Sequence, residues 1–459
     1  MLTLGSSSLC IGSSRFGVID VADVRCDADW SEFESFGKDP ETILAEMKSM
    51  IPPDAIEATR GMEERWRTLT TAMQDEAPSG ARGELRVIGS GIGHADLTII
   101  DEALLSKADH VFHCLYDRVT LAWIEKLRPD SFDLRILYDE NVDRHDTYVC
   151  MAEAMLHHVR RGRKVLAVYY GHPGMFATPT HRAIRIARSE GHRASMRPGI
   201  SALDHLVADV GFDPMVPGLL SYEASDLILH RRRLDPTLHT VLWQVGAVGE
   251  FQYSPAGFRN DGFDHLLDAI EAEYGTSAEL VHYIAPQYVG IEPLCERTDV
   301  GALRSEDARR RIGALSTFYL PPSTVAALDA EGAASLGRPE LASGGARIPY
   351  DLAAYGPGEM LALDRLKSFR APAHYVATAD SPAARFLMKL TRSPGLLEAF
   401  SQDPVGTMLQ HAEPELSSRA RRLLAVPNPQ AFNAAIAEPP DHGPDRSPDS
   451  GHQPSAAPK

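Results

Sequence analysis

Apolar residues recur with two different periods along the first half of the chain, and the two periods alternate. Short runs rich in Val, Ile and Tyr are typical of buried strands: "ELRVIGSG", "HVFHCL" and "KVLAVYYG". Between and after them lie stretches with helical spacing: "LTIIDEALLSKA", "TYVCMAEAMLHHVRR" and "PTHRAIRIARSEG". Strands and helices in alternation predict an α/β domain over residues 83–200.

A second group of elements predicts another α/β domain over residues 201–322. Strands are expected in "HTVLWQVG", "ELVHYIAP" and "LSTFYLPP". Helices are expected in "SALDHLVADVG", "SYEASDLILH", "FDHLLDAIEAEYG" and "ALRSEDARRRIGA". The order of these elements favours a mixed sheet. After Pro322 the pattern becomes Ala-rich and predicts a wholly helical region that runs to about Ala437.

The two ends of the chain differ from this central part. The sequence pattern of residues 1–80 predicts a helical extension of unknown role, with two or three short helices interrupted at Pro52 and Pro53. The last segment, "EPPDHGPDRSPDSGHQPSAAPK", cannot bury a core and is predicted to be disordered. A weak repeat, Phe-x-x-Asp-Pro, links residues 36–47 to residues 400–411 and is explained either as a generic helix start or as a true relationship.

Composition and charge restrict the possible functions. A chain of 459 residues with 44% hydrophobic residues can form two or three domains with proper cores. The net charge of -17 argues against a nucleic-acid-binding face, which needs clustered Lys and Arg. The five cysteines lack the spacing of a zinc site or a disulfide framework, so no metal and a cytoplasmic location are expected. We expect no membrane association, because no apolar run is long enough to span a bilayer.

Two glycine-rich turns follow predicted strands and are candidate binding sites. "GSGIG", with Gly89, Gly91 and Gly93, could bind a dinucleotide if Asp117 served as the ribose acid. The turn runs on to Asp96, which could instead cap the following helix. "YYGHPGMF" places two glycines around His172, which suits either a ligand lying against the backbone or an ordinary turn. "RPGISALD" repeats this arrangement, with a serine opening a helix.

Taken in order, these motifs resemble a known family. "VIGSGIGHADLT", "ADHVFHC", "YYGHPGMF", "RPGISA" and "STFYLPP" are similar to motifs of the tetrapyrrole methylases. "YDENVDRHDTY", "YEASD", "VLWQVGAVG" and "VHYIAP" most closely resemble the borosin-type peptide backbone α-N-methyltransferases within that family. The resemblance covers residues 83–322 and implies a two-domain α/β core with S-adenosylmethionine in the cleft between the domains. His172 departs from the porphyrin-modifying members, which more often carry Asp there.

The resemblance also implies a set of functional residues. The implied catalytic group consists of Tyr138, Arg144, Tyr148 and Tyr170. The implied cofactor pocket is lined by Tyr170, His172, Met175, Ala202, Gln244, Ala285, Ser316 and Thr317.

Methylating a peptide bond explains why tyrosine and arginine are wanted together. An amide nitrogen is a poor nucleophile, because its lone pair is delocalised into the carbonyl. A tyrosine could remove the N–H proton if a neighbouring guanidinium favoured its phenolate. An arginine or second phenol could donate hydrogen bonds to the developing imidate oxygen. Arg144 and Tyr148 share one face if the helix has begun by residue 144. The acids of this stretch are interpreted only as helix caps and as neighbours that tune Arg144: Asp139, Glu140, Asp143 and Asp146.

In borosins a helical segment clasps a partner subunit, whose active site methylates the C-terminal peptide. The resemblance therefore implies a homodimer, a helical clasp at residues 323–379, a leader-like module at 380–426 and a possible core peptide at 427–459. The expected activity is automethylation in the biosynthesis of a ribosomal peptide natural product. Fungal substrates are rich in Val, Ile and Gly, whereas this tail ends in "SGHQPSAAPK", and its prolines have no N–H to methylate.

Several alternatives stay open. Within the chain, "AVPNPQAFNAAIA" could be the target. If the tail is not a substrate, the enzyme could modify a separate peptide. The protein could also be a tetrapyrrole or other small-molecule methylase with a dimerising extension, or a helical scaffold with an inactive methylase core.

Overall fold

The computed structural model describes residues 53–75, 78–254, 257–339, 357–373, 380–412 and 414–438. The first copy of the Phe-x-x-Asp-Pro repeat and the tail from residue 439 lie outside the described residues. The described strands form two five-stranded sheets. None of the described helices combines the length and the apolar character that crossing a membrane requires.

The first sheet is parallel and has the order β3-β2-β4-β1-β5. Its strands are β1 Glu84–Gly89, β2 His110–Cys114, β3 Phe132–Asp133, β4 Lys164–Tyr169 and β5 Arg193–Met196. The helices of this domain are α2 Asp101–Lys107, α3 Arg118–Leu127, α4 Arg144–Val159 and α5 Thr178–Ser189. The three central strands are buried almost throughout, as a parallel sheet covered on both faces requires. These strands were predicted, whereas β3, β5 and α3 were not.

Helix α1 (Pro53–Asp75) precedes the first sheet. It is a single helix that begins at Pro53, so the two prolines mark its start and do not break it. Its Trp66 and Leu69 are buried in the core of the first domain.

The second sheet has the order β6-β7-β10-β8-β9, and only the β6–β7 pair is parallel, which confirms the predicted mixed sheet. Its strands are β6 Leu219–Glu223, β7 His239–Trp243, β8 Glu279–Ile284, β9 Leu294–Asp299 and β10 Thr317–Leu320. Its helices are α6 Ala202–Val210, α7 Ala224–Leu229, α8 Phe263–Tyr274 and α9 Glu306–Arg310.

Two helix predictions in this domain need correction. "SYEASDLILH" begins as strand β6, because the Glu223 carboxylate accepts the Asp226 N–H at 2.7 Å and α7 starts only at Ala224. "ALRSEDARRRIGA" contains a 3-10 turn and then the short helix α9, because Ser305 breaks the run and caps that helix through the Ala308 N–H at 3.3 Å.

The region after Pro322 is not wholly helical, because residues 323–329 carry no helix. Its described helices are α10 Ala330–Ser335, α11 Pro357–Lys367, α12 Pro382–Arg392, α13 Pro394–Gln402, α14 Pro404–His411, α15 Ser418–Leu424 and α16 Pro429–Ile436. We call residues 380–438 the C-terminal module. Its helices enclose a core of their own that includes Phe386, Phe400 and Ala435. Helix α16 lies beyond residue 426 and packs into the same core.

The C-terminal module lies at the edge of the first sheet where the strands begin. The Glu398 carboxylate of α13 is 3.8 Å from Lys164 Nζ, at the start of β4, and 3.6 Å from Arg193 Nη2, at the start of β5. Because the strands are parallel, their carboxyl ends lie together at the opposite edge.

Candidate active site

The four predicted catalytic residues lie on elements that end at the carboxyl edge of the first sheet. Tyr138 follows the 3-10 turn Leu134–Leu137, which continues β3. Tyr170 follows β4, and its N–H donates to the Cys114 carbonyl at the end of β2 at 3.0 Å. Helix α4 begins at Arg144, so Arg144 and Tyr148 are one turn apart on one face, which confirms that expectation.

Tyr138 lies in an aromatic cluster. Its ring meets the Tyr148 ring edge to face at 6.4 Å and stacks on the Tyr253 ring at 4.8 Å. Burial raises the pKa of the Tyr138 phenol above its usual value, and burial likewise raises the pKa of Tyr170. Both phenols therefore keep their protons and can act as hydrogen-bond donors.

Arg144 connects the two domains. Its Nε and Nη2 donate to the Gln252 carbonyl at 3.2 and 3.0 Å, and its guanidinium lies 5.1 Å from the centre of the Phe258 ring. Its backbone N–H donates to the Phe251 carbonyl at 3.4 Å. The loop after β7 thus reaches across to the start of α4 and brings Tyr253 to the tyrosine cluster.

The structure adds two residues that sequence reasoning missed, Tyr116 and Tyr253. The Tyr116 ring meets the Tyr170 ring edge to face at 5.9 Å and is 48% exposed. Tyr116 follows β2, so the neighbouring position of β2 and β4 in the sheet would have identified it. Tyr253 lies far away in the sequence, and no local signal points to it.

The two glycine-rich turns contact each other through their backbones. The Gly171 N–H donates to the Gly91 carbonyl at 2.9 Å, and both glycines have positive φ, +68° and +74°. A Cβ on Gly89 would lie 2.2 Å from the Gly171 carbonyl oxygen. Only glycine permits this approach, which brings the two turns together at the end of the central strands.

Two acidic residues near these turns have structural roles. The Asp96 carboxylate accepts the Ile92 and Gly93 N–H groups at 2.8 and 3.2 Å, so it holds the glycine turn and does not cap α2 as predicted. Asp117 is buried and caps α3 through the Val119 N–H at 2.9 Å. Because Asp117 is 1% exposed and also accepts the Thr120 N–H, it does not face a ribose site, and the structure does not support the dinucleotide interpretation.

The apolar members of the predicted cofactor set pack against one cluster on the second sheet. Met175, Ala202 and Ala285 contact this cluster, which consists of Leu206, Val241, Trp243, Val281, Tyr283 and Tyr319. Thr317 pairs with Tyr283 across the strands, so its side chain lies on the same face. Gln244 directly follows β7 in a positive-φ conformation, +56°.

His172 and Ser316 use their side chains within the protein. His172 Nδ1 accepts the Gly174 N–H at 3.0 Å and so shapes its own turn. Ser316 Oγ lies 2.8 Å from His282 Nε2 and accepts the Gly313 N–H at 3.0 Å. Ser316 therefore presents backbone, and not its hydroxyl, to the face that carries Thr317.

The domains meet between these surfaces. Gln287, after β8, donates from Nε2 to the Tyr170 hydroxyl at 3.4 Å. The Phe176 ring lies 6.1 Å from the Trp243 ring. The glycine turns of the first domain and the apolar cluster of the second, which we call the apolar wall, thus lie on the two sides of this contact. Within the described residues, no group of three or more His, Cys, Asp or Glu side chains is placed to hold a metal ion.

The chain is similar in sequence to known proteins over most of its length. Residues 84–282 match the family of tetrapyrrole (corrin/porphyrin) methylases. The chain is 40% identical over 365 residues to a methyltransferase/ribosomally synthesized type III borosin cyclic peptide precursor of Anomoporia bombycina, a match that covers 76% of this chain and 42% of that protein. It is 37% identical over 382 residues to a type I borosin cyclic peptide precursor of Cerrena unicolor, covering 78% of this chain and 92% of that protein.

A third relative has a named product. The chain is 36% identical over 372 residues to a methyltransferase/cyclic peptide lentinulin A precursor of Lentinula edodes, covering 78% of this chain and 89% of that protein. The chain thus spans less than half of the first relative and most of the other two.

Proposed function

Because this chain belongs to the borosin methyltransferase/peptide precursor family within the tetrapyrrole methylases, we propose that it methylates backbone amide nitrogens of a peptide. The observation that carries this proposal is the group of phenols at the carboxyl edge of the first sheet, next to the paired glycine turns. Hydrogen-bond donors in that place can bind the carbonyl oxygen of an amide substrate.

S-adenosylmethionine, when bound, supplies an electrophilic methyl group. Its polar part is placed beside the glycine turns at Gly91 and Gly171, where the chain carries no side chain. Met175, Ala202 and Ala285 form the apolar wall, and Thr317 adds one hydroxyl. This dry surface excludes water from the reacting atoms.

The phenols act on the amide. Tyr138 and Tyr170 keep their protons and donate to the carbonyl oxygen as negative charge moves onto it. We assign the amide N–H to the Tyr148 oxygen, with Arg144 one helical turn away on the same face. The amide nitrogen would take the methyl group as the S–CH3 bond of the sulfonium breaks and a neutral thioether leaves, and loss of the N–H proton would leave the methylated amide uncharged.

The structure narrows the choice of substrate segment within the chain. In the stretch "AVPNPQAFNAAIA" the Phe432 N–H donates to the Asn428 carbonyl at 3.0 Å and the Ala437 N–H to the Asn433 carbonyl at 3.1 Å. Ala435 is fully buried in the module. Amides of a packed helix are not available for methylation, so the substrate lies beyond residue 438 or on another peptide.

The position of the C-terminal module supports methylation between subunits of a homodimer. The module lies at the strand-start edge of the first sheet, and the tyrosines lie at the opposite edge. A tail that leaves the module must pass around its own domain to reach its own site. Entry into a partner's site avoids that path.

Fragment mass spectrometry of the full-length protein tests the function. We expect added methyl groups on residues beyond 438 and none in helix α16 after expression with S-adenosylmethionine available. Unmodified C-terminal peptides would count against self-methylation and would leave a separate peptide or a small molecule as substrate. The tail has six prolines without an N–H, so a separate peptide is the second candidate.

A mixed-subunit experiment tests transfer between chains. An inactive Tyr148→Phe chain with its tail is expressed together with an active chain truncated after residue 438. Methylation of the inactive chain's tail is the expected result. An unmethylated tail on that chain, with normal methylation of the wild-type protein, would show that each subunit modifies itself.

A further inference from the structure

Helix α1 has an apolar stripe that packs against the core of the first domain. Met62, Trp66, Leu69 and Met73 recur at helical spacing and contact this core. Tyr138 and Tyr148 pack against the same core. The helix precedes the α/β domain in the sequence and has no part in the proposed chemistry.

Trp66 makes the most specific of these contacts. It is 6% exposed, and its indole Nε1–H donates to the Asp133 carbonyl at 3.2 Å. Its ring meets the Phe132 ring edge to face at 5.5 Å. Both contacted residues form β3, so Trp66 holds the whole of this strand.

Strand β3 needs such support. It is two residues long, lies at the edge of the sheet and pairs with β2 through Phe132 and Asp133 alone. Short edge strands have few ladder hydrogen bonds and therefore open easily.

Asp133 is also the first residue of the segment that carries Tyr138. Its carboxylate accepts the Arg135 N–H at 2.9 Å and pairs with the Arg135 guanidinium at 2.6 Å. The Tyr138 N–H then donates to the Arg135 carbonyl at 3.1 Å and closes the turn. A continuous series of hydrogen bonds thus runs from Trp66 to the backbone of Tyr138.

We propose that helix α1 is a positioning element for the active site and that Trp66, through Asp133, sets the place of the Tyr138 phenol. The inference rests on the proposed catalytic role of Tyr138. A cover for the sheet edge needs only apolar contact, whereas a positioning residue needs the directed bond from the indole N–H to the Asp133 carbonyl.

The Trp66→Phe variant of the full-length protein tests this inference, because it keeps an aromatic ring and removes the N–H donor. We expect kcat for peptide methylation to fall about tenfold, as the loss of one well-aligned hydrogen bond allows. The Kd for S-adenosylmethionine should stay within about twofold, since Trp66 is remote from the apolar wall of the second domain. Amide hydrogen exchange at residues 134–138 should become faster.

Leu69→Ala is the matched control. Leu69 is buried in the same helix and the same core, and its loss leaves the Trp66–Asp133 bond in place. This variant should lower the melting temperature more than Trp66→Phe does and leave kcat within about twofold. An equal fall of kcat in both variants, or unchanged kcat and exchange in Trp66→Phe, would overturn the positioning role.

The exchange measurement does not depend on turnover. If the wild-type protein methylates no peptide, the proposed function fails. Faster amide exchange at residues 134–138 in Trp66→Phe would still show that Trp66 positions this segment and does not only cover the sheet edge. An unchanged exchange rate at these residues would reject the positioning role of Trp66, whichever reaction the protein catalyses.

Discussion

The two α/β domains present different surfaces to the cleft between them. The first, built on a parallel sheet, brings phenols to the carboxyl ends of its strands: Tyr116, Tyr138 and Tyr170. The second, built on a mixed sheet, presents an apolar face with Thr317 at its edge. On the basis of this difference we propose that the first domain acts on the peptide and the second binds the methyl donor.

The largest expected effect tests the first half of this comparison. Tyr148→Phe should lower kcat by about 10³-fold or more, because it removes the group assigned to the amide proton. Calorimetry should show unchanged affinity for S-adenosylmethionine. Tyr222→Phe, which removes a hydroxyl that donates to the Arg233 carbonyl on the second domain, is the matched control and should be fully active. A Tyr148→Phe protein with normal turnover would remove Tyr148 from the catalytic group.

Arg144→Lys tests the connection between the domains. The substitution keeps the charge and loses the fork that donates twice to the Gln252 carbonyl, so the loop that carries Tyr253 is held less firmly. We expect kcat/KM for the peptide to fall about 30-fold to 100-fold, through both kcat and KM. The Kd of the methyl donor should change little. If only the Kd of the methyl donor changed, Arg144 would act in binding the donor. The proposed division, with the peptide on the first domain and the donor on the second, would then be wrong.

A smaller effect is expected on the second domain. Thr317→Val keeps the side-chain shape and removes the hydroxyl on the face that we propose for the cofactor, so affinity for S-adenosylmethionine should fall about fivefold to tenfold. At saturating donor, kcat should stay within about twofold. Thr240→Val is the control, because the Thr240 hydroxyl bonds to the Tyr274 hydroxyl and should affect stability alone. A Thr317→Val protein with normal affinity for S-adenosylmethionine and a low kcat would show that Thr317 acts in the chemical step and not in binding of the donor.

The central strands of both sheets could be predicted from sequence, because strands buried on both faces give continuous apolar runs. The edge strands could not. "RASM" and "LCERTD" alternate with polar residues, and β3 has two residues, so their pairing depends on distant neighbours. The strand at the start of "SYEASDLILH" was missed because its pairing with β7 outweighs its helical spacing.

The residues of the candidate site were likewise only partly predictable from the sequence. Tyr138, Arg144, Tyr148 and Tyr170 lie in stretches that resemble a family, so the sequence identified them. Tyr253 belongs to a loop that crosses from the other domain, and only the hydrogen bonds between Gln252 and Arg144 show that it arrives at the site. A contact between distant parts of a chain leaves no periodic trace in either part.

The smallest effect concerns a buried histidine in each domain. His113 of β2 is fully buried, and among the described residues neither ring nitrogen has a hydrogen-bond partner. His282 of the second domain bonds to Ser316 and lies 3.6 Å from Glu296. Burial lowers the pKa of His113 to about 4, so this histidine stays neutral in the folded protein.

The pH dependence of unfolding tests whether His113 is held neutral in the folded protein. The unfolded chain binds a proton at His113 below about pH 6.5, and the folded one does so only below about pH 4, so the folded protein loses stability as the pH falls between these values. We expect His113 to account for a loss of roughly 1 kcal/mol between pH 7 and pH 5.5. In chemical denaturation, His113→Leu should remove that part of the slope, whereas Leu115→Ala, which alters the same domain's core without changing a titratable group, should keep it. Equal slopes in wild-type protein and His113→Leu would show that the histidine without a hydrogen-bond partner is not held neutral.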